Sequence, residues 1–293
     1  MSRSLDRVGV PTPSVQFAER ATKFAIEPGS AQDFVLVGTS ATSGGTAHTM
    51  GAWAQMIAST SADVYGILAV VTTNTVAGTN TSGLADIGIG GAGSETVIVP
   101  SVDIGFEGTN SGVVRAKHIP VFIPAGSRLA WRWQSIRTST ATGLTLCTSL
   151  NIPAWYSQGP HPTALVSYGH NAANSNMTAL TAPGSLNTKG AWTELTSATN
   201  EALQALMVQA NGGASNTYTT STMYVDIAVG AAGQEQAIIT NANFQTHSSE
   251  YVQTAFASSR TYAVNIPKGA RISARYSRSA TQALTCSVIG VPR

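Results

Sequence analysis

Charge is what this sequence has least of. Asp, Glu, Lys and Arg together supply 10% of its 293 residues, against about 25% in an ordinary soluble domain. Such scarcity excludes the densely charged surface of an ordinary cytosolic enzyme. With a net charge of +2, no strong field steers the whole molecule toward nucleic acid or an anionic membrane. No run of eighteen apolar residues exists, and the longest apolar stretch, near Val64 to Val71, is broken by Gly66; a transmembrane helix is not expected. The opening MSRSLDRVGVPTPSVQF carries basic residues but no apolar h-region, so a secretory signal is not expected either.

What is present is apolar and uncharged polar. Hydrophobic residues make up 43% of the chain, and Ser plus Thr about 23%. Disordered chains combine low hydrophobicity with high net charge, so this chain is expected to bury a core. Its length allows about two domains.

The strongest internal signal is self-similarity at an offset near 140 residues. Gly51-Ala52-Trp53 is answered by Gly190-Ala191-Trp192. ADIGIGGAGSE, with Asp86, Gly90, Gly93 and Glu95, is answered by VDIAVGAAGQE, with Asp226, Gly230, Gly233 and Glu235. FIPAGSRLAWRW, with Arg128 and Arg132, is answered by NIPKGARISARY, with Arg271 and Arg275. Cys147 is answered by Cys286. The offset is 139 at the tryptophans and cysteines, 140 at the aspartates and 143 at the prolines, as insertions in loops would produce.

A unit of this size can hold its own core, so two tandem domains of one fold are expected, at residues 35–157 and 158–293. Pro153, Gly159, Pro160 and Pro162 cluster at the boundary. Residues 1–34 find no counterpart in the second copy and read as an extended N-terminal arm.

Local pattern points to strands. YGILAVVT, ETVIVP, HIPVFIP, RLAWRWQ and LTLCTSL are short runs rich in Val, Ile, Leu and aromatics, separated by Gly, Asn, Ser and Thr. Period-2 alternation places Leu129, Trp131 and Trp133 on one face, with Ile272, Ala274 and Tyr276 as their counterparts. Ile-Pro-Ala-Gly suits a type I turn with Pro at i+1 and Gly at i+3. Helical stretches are limited to VQFAERATKFAI in the arm and NEALQALMVQA. The latter aligns with the apolar run ADVYGILAV and is therefore read as a strand despite its propensity. The expected fold class is all-β: two tandem β-sandwich or jelly-roll-like domains behind the arm.

Several motifs invite sharper readings. Gly88-Ile-Gly90-Gly-Ala-Gly93 matches G-x-G-x-x-G, but ETVIVP follows where a helix would have to begin. Ala228 also replaces its first glycine in the second copy. Glycine turns with positive φ are expected instead. The pairs Asp86 with Glu95 and Asp226 with Glu235 lack the neighbouring oxygens that calcium needs. Backbone hydrogen bonds at strand ends and turns are expected of them.

Cys147 and Cys286 occupy equivalent positions and are expected as separate, buried free thiols rather than a disulfide. His48, His118, His161, His170 and His247 show no metal spacing and none recurs. No catalytic residue, metal or cofactor is expected. Basic residues crowd two stretches, around Arg128 and Arg132 and around Arg271 and Arg275. They read either as a solvated strand face or as subunit contacts in which Arg pairs with acids of a neighbour.

The Gly-Ala-Trp block, DIGIGGAGSE leading into VIVP, and IPAGSRLAWRWQS together resemble a module of structural proteins in tailed-bacteriophage virions. The resemblance covers about residues 36–155 and, more loosely, 185–293. It implies a non-enzymatic virion component in the tail, fibre or adaptor apparatus. Its partners would be other virion proteins and copies of itself, with the arm docked on a neighbouring subunit and no specific nucleic acid or membrane insertion. Head-surface decoration or a neck position is the alternative. A reading of another class is a carbohydrate- or receptor-binding module in which Trp155, Tyr156 and Tyr168 stack on a host-surface glycan.

Overall fold

A computed structural model describes residues 34–72, 83–104, 115–138, 141–149, 162–211, 221–246 and 261–293. The expected arm, its helical stretch and the boundary at 157/158 lie outside these residues.

The first repeat contains eight strands: β1 (Phe34–Thr42), β2 (Ala54–Ile57), β3 (Gly66–Thr72), β4 (Gly83–Ile89), β5 (Thr96–Asp103), β6 (Arg115–Ile119), β7 (Leu129–Ser135) and β8 (Ala141–Ser149). They form two antiparallel sheets, ordered β1-β8-β3-β6 and β2-β7-β4-β5. The order 1-8-3-6 over 2-7-4-5 is jelly-roll topology, two Greek keys wound into facing sheets.

The second repeat opens with two short strands, β9 (Val166–Tyr168) and β10 (His170–Asn171), and a single 3-10 turn at Ala172–Asn174. Eight strands follow: β11 (Asn176–Ala179), β12 (Thr193–Thr196), β13 (Leu203–Asn211), β14 (Ser221–Val229), β15 (Gln236–Thr246), β16 (Thr261–Ile266), β17 (Ile272–Arg278) and β18 (Thr285–Pro292). Their sheets are ordered β10-β11-β18-β13-β16, with β9 also on β18, and β12-β17-β14-β15. The jelly-roll order of the first repeat recurs, strand for strand.

The inward set read from period 2 forms the cores. Leu129, Trp131 and Trp133 are fully buried in the first cluster, and Ile272, Ala274 and Tyr276 in the second. Trp133 donates its indole N–H to Ala41 O at 3.1 Å, and Tyr276 its hydroxyl to Gln282 O at 3.0 Å. The Trp131 N–H is buried without a hydrogen-bond partner, a desolvation cost of about 1–3 kcal/mol. Burial of the ring outweighs that cost, since an indole removes on the order of 200 Å² from water.

NEALQALMVQA supplies all of β13 but its last residue, and the structure supplies the reason its pattern is continuous rather than alternating. Leu206 and Val208 enter the second core with Cys286 and Val288 of β18. Ala205 and Met207 join the first core with Ile289 and Val291. A strand buried on both faces reads as one apolar run. The sheet holding β13 and β18 therefore lies between the two repeats.

The Ile-Pro-Ala-Gly turn differs from expectation. Ser127 N–H bonds Pro124 O, and Ala270 N–H bonds Pro267 O, both at 3.3 Å. Pro is thus residue i and Gly126 or Gly269 is i+2, with φ of +80° and +84°. Positive φ at i+2 is the signature of a type II turn, and glycine meets it without a Cβ penalty. The turn is tied identically in both copies: Thr60 and Thr199 each donate a hydroxyl to the Pro carbonyl at 2.9 Å.

Candidate functional site

The duplicated polar residues converge on the outer faces of the β2-β7-β4-β5 and β12-β17-β14-β15 sheets. Arg128 donates to Glu95 at 2.8 Å, to Gln55 at 2.8 Å and to Gly90 O at 3.2 Å. Arg271 repeats this with Glu235 at 3.0 Å, Glu194 at 2.7 Å and Gly230 O at 3.2 Å. Each guanidinium closes a glycine turn from above, and Gly90 and Gly230 both have φ of +123°.

Four residues further on, within β7 and β17, lies a second duplicated group. Arg132 bonds Asp86 at 3.1 and 3.2 Å and lies 4.6 Å over the Trp53 ring. Arg275 bonds Asp226 at 3.1 Å and lies 4.3 Å over Trp192. The other carboxylate oxygen accepts a backbone N–H, from Ser101 at 3.1 Å and from Asn241 at 2.9 Å. Ser101 and Asn241 have φ of +54° and +55° at a register shift between paired strands. Each aspartate thus holds a β-bulge in its neighbouring strand, and each Trp roofs the ion pair.

These contacts bear directly on the four arginines read as subunit contacts. The carboxylates paired with Arg128, Arg132, Arg271 and Arg275 belong to the same chain rather than to a neighbour. The strand-end and turn role expected of Asp86, Glu95 and Asp226 is what the structure gives, since Gly93 N–H bonds Glu95 at 3.0 Å.

Electrostatics follow from this geometry. Burial pushes the Glu95 carboxyl up, but Arg128 and the backbone donors outweigh it and hold the group below the usual carboxylate range. Asp226 behaves alike, with Lys189, Asn241 N–H and Arg275 overcoming burial. Glu235 is lowered chiefly by backbone hydrogen bonds and then by Arg271.

A third polar group was not singled out by sequence reasoning. At the junction of the repeats, Gln209 is fully buried and uses its whole hydrogen-bonding capacity. Its oxygen accepts from Asp103 N–H at 3.0 Å and Lys117 Nζ at 3.1 Å. Its nitrogen donates to Ser101 O and Ser287 Oγ, both at 3.1 Å. Lys117 Nζ also donates to Asp103 O at 2.6 Å and lies 3.8 Å from the Asp103 carboxylate. The available signal was a polar residue flanked by apolar ones in a strand-like run: Lys117 in AKHI, Gln209 in LMVQAN and Asp103 in SVDI. Further bridges flank the network. Gln134 donates to Ala172 O at 2.6 Å, and His48 Nδ1 lies 3.1 Å from Ser175 Oγ.

Tyr168, one of the three aromatics proposed to stack on sugars, is buried at 8% exposure, with its hydroxyl bonded to Asn200. Its ring packs in the second core, so it offers no face to a glycan. Trp155 and Tyr156 lie outside the described residues. Cys286 is a buried free thiol whose pKa burial pushes up to about 12. Cys147 stands on β8, opposite Leu36 and Leu68. Among the described residues, no three His, Cys, Asp or Glu side chains gather as a metal site, and no helix is long and apolar enough to cross a membrane.

No family model matches the sequence, and no curated protein does. Solved structures similar to the chain include PNGF-II, at 9% identity and TM-score 0.37, over 89% of this chain. The chain spans 65% of the length of that protein. The STIV MCP matches at 8% identity and TM-score 0.36, over 88% of this chain and 96% of its own. The CBM22-1-CBM22-2 tandem of Paenibacillus barcinonensis Xyn10C matches at 10% identity and TM-score 0.22, over 88% and 95%.

Proposed function

We propose that this all-β chain is a non-enzymatic structural component of a tailed-phage particle, acting in the tail, fibre or adaptor apparatus. The observation that carries the proposal is the junction between the repeats. Two jelly rolls share one apolar sheet and are tied by a fully bonded buried network around Gln209. Such a junction makes the tandem one stiff body instead of two beads on a linker. Stiffness of this kind suits a spacer that must hold partners at fixed separation. The duplicated arginine clamps add to it, because their acids are spent in holding turns and bulges rather than exposed for proton transfer.

In the particle, the arm docks on neighbouring subunits and the sandwiches present their outer faces to other copies and virion proteins. The test is to image purified particles with the protein labelled. A label on the tail, fibre or connecting apparatus is the expected result. A label confined to the head surface or neck selects the alternative placement, and absence from particles overturns the proposal. The glycan-binding reading retains only Trp155 and Tyr156 of its three aromatics.

A further inference from the structure

Asn211, the last residue of β13, carries an atom that the junction network leaves unused. The residue is 1% exposed, and its amide oxygen Oδ1 is buried without a hydrogen-bond partner. Such bare buried acceptors are rare in folded proteins and often mark chemistry.

Two ionisable groups meet this amide. Asn211 Nδ2 donates to Asp103 Oδ1 at 3.4 Å, and Lys117 Nζ lies 3.8 Å from Asp103 Oδ2. One carboxylate therefore holds an amide nitrogen on one oxygen and an amine on the other. Asp103 is 4% exposed and Lys117 5%, and Asp103 stands between Val102 and Ile104, both in the first core. The three residues come from β5, β6 and β13, so the group spans both repeats.

An amine, a carboxamide and a carboxyl group enclosed together are the nucleophile, electrophile and proton carrier of an amide exchange. Burial disfavours the charged forms of amine and carboxyl alike, which eases transfer of a proton from ammonium to carboxylate. The neutral amine so formed is the nucleophile.

We propose that Lys117 and Asn211 join in an amide cross-link between the two repeats, with Asp103 carrying the protons. Lys117 first passes a proton to the Asp103 carboxylate. The Nζ lone pair then attacks Asn211 Cγ, and the C=O π pair moves onto Oδ1. Asp103 hands its proton to Nδ2 and takes one from Nζ. The oxygen pair re-forms the carbonyl, the Cγ–Nδ2 bond breaks, and ammonia leaves with the bonding electrons. Ammonia removes the last proton from Asp103 and departs as ammonium, so the carboxylate is restored. The long contacts to Asp103 shorten as Nζ closes on Cγ, as resting catalytic hydrogen bonds do.

Gln209 is the competing electrophile, since its Oε1 accepts from Nζ at 3.1 Å. Its nitrogen, however, donates to a carbonyl and a hydroxyl, Ser101 O and Ser287 Oγ, rather than to an acid that could protonate the leaving group. Only at Asn211 does the carboxyl stand against the leaving nitrogen. The cross-link concerns the junction and does not rest on placement in a phage particle.

The test is mass spectrometry of the full chain after prolonged incubation in the folded state. The expected result is a loss of about 17 Da, one ammonia. A branched tryptic peptide should join residues 116–128 to 190–260, with Lys117 uncut. Lys117→Arg removes the amine nucleophile and Asp103→Ala the proton carrier, and both are expected to keep their full sequence mass. Near-ultraviolet circular dichroism identifies folded variants; if either fails to fold, the wild-type branched peptide decides by itself. Gly212 follows Asn211, so ammonia can also leave by cyclisation onto the next backbone nitrogen. That route leaves the 190–260 peptide unbranched, and finding it alone overturns the proposal. So does a folded wild type at full mass, a branch at Gln209 or Asp103, or branching that persists in folded Asp103→Ala. Cross-linked protein absent from particles would remove the virion reading and leave this proposal standing.

Discussion

Replacing Gln209 by Leu tests whether the junction is held by its polar network or only by the apolar sheet around it. The substitution keeps the volume and deletes four hydrogen bonds. Asp103 N–H and Ser101 O are backbone groups, and each loses its Gln209 partner in a site where that amide is fully buried. Each orphan costs about 1–3 kcal/mol. Lys117 retains Asp103 O at 2.6 Å, and the Ser287 hydroxyl can rotate, so these two add little. Added apolar burial offsets roughly 1 kcal/mol, leaving a net loss of about 3 kcal/mol. For a chain of this size that lowers Tm by about 6–12 °C. Gln209→Ala should cost less than Gln209→Leu, since the space it opens admits water to the orphaned groups. Denaturant unfolding and calorimetry read both values. Because the bonds cross between repeats, Gln209→Leu should also split a single transition into two. A Gln209→Leu protein within about 0.5 kcal/mol of wild type would refute the network's role.

Three further outcomes follow from the geometry. Glu95, Asp226 and Glu235 are held below their ordinary values of 4.5, 3.8 and 4.5, so the unfolded chain binds their protons first. Their contribution is complete above about pH 5 and is lost as pH falls through the lowered folded values. Urea titrations from pH 7 to 2 should show that fall, shallower in Asp226→Asn. Gly230→Ala places a Cβ 2.6 Å from Gln234 O at φ of +123° and should cost about 2–3 kcal/mol. Gly233→Asn, at φ of +80° with open space around it, should cost about 1 kcal/mol or less; equal losses in chemical denaturation would sink the distinction. Cys286, with a pKa near 12, should resist iodoacetamide at pH 8 until the protein unfolds, and rapid native labelling mapped by mass spectrometry would contradict its burial.

The Arg-bearing strands, the glycine turns and the duplicated aspartates were legible because each lies within a short, repeated block. Their partners were less so. Nothing local says that Arg128 finds Glu95 across the sheet, although both recur together in the second copy. The turn at Pro124 lies one position out of phase with the sequence reading, because Pro and Gly two residues apart suit more than one turn. Tyr168 reads with Trp155 and Tyr156 as an aromatic available to a glycan, and the second core claims it instead.

The sequence by itself determined two copies of one all-β unit, the strand character of NEALQALMVQA, and the inward residues of β7 and β17. Periodicity and repetition carry that information because they depend only on neighbours along the chain. The fate of the two matching outer faces was decided by tertiary structure alone. Ile98 and Ile238 are the same residue at the same register position, yet one is 2% exposed and the other 38%. The difference comes from the second repeat closing on the first: Leu165 N–H bonds Ile98 O, and Leu165, Met207 and Ile289 share the first core with Ile98. The same docking joins Gln209 to residues 92 and 106 positions distant. Contacts of that separation depend on how two folded surfaces meet, which no local pattern encodes.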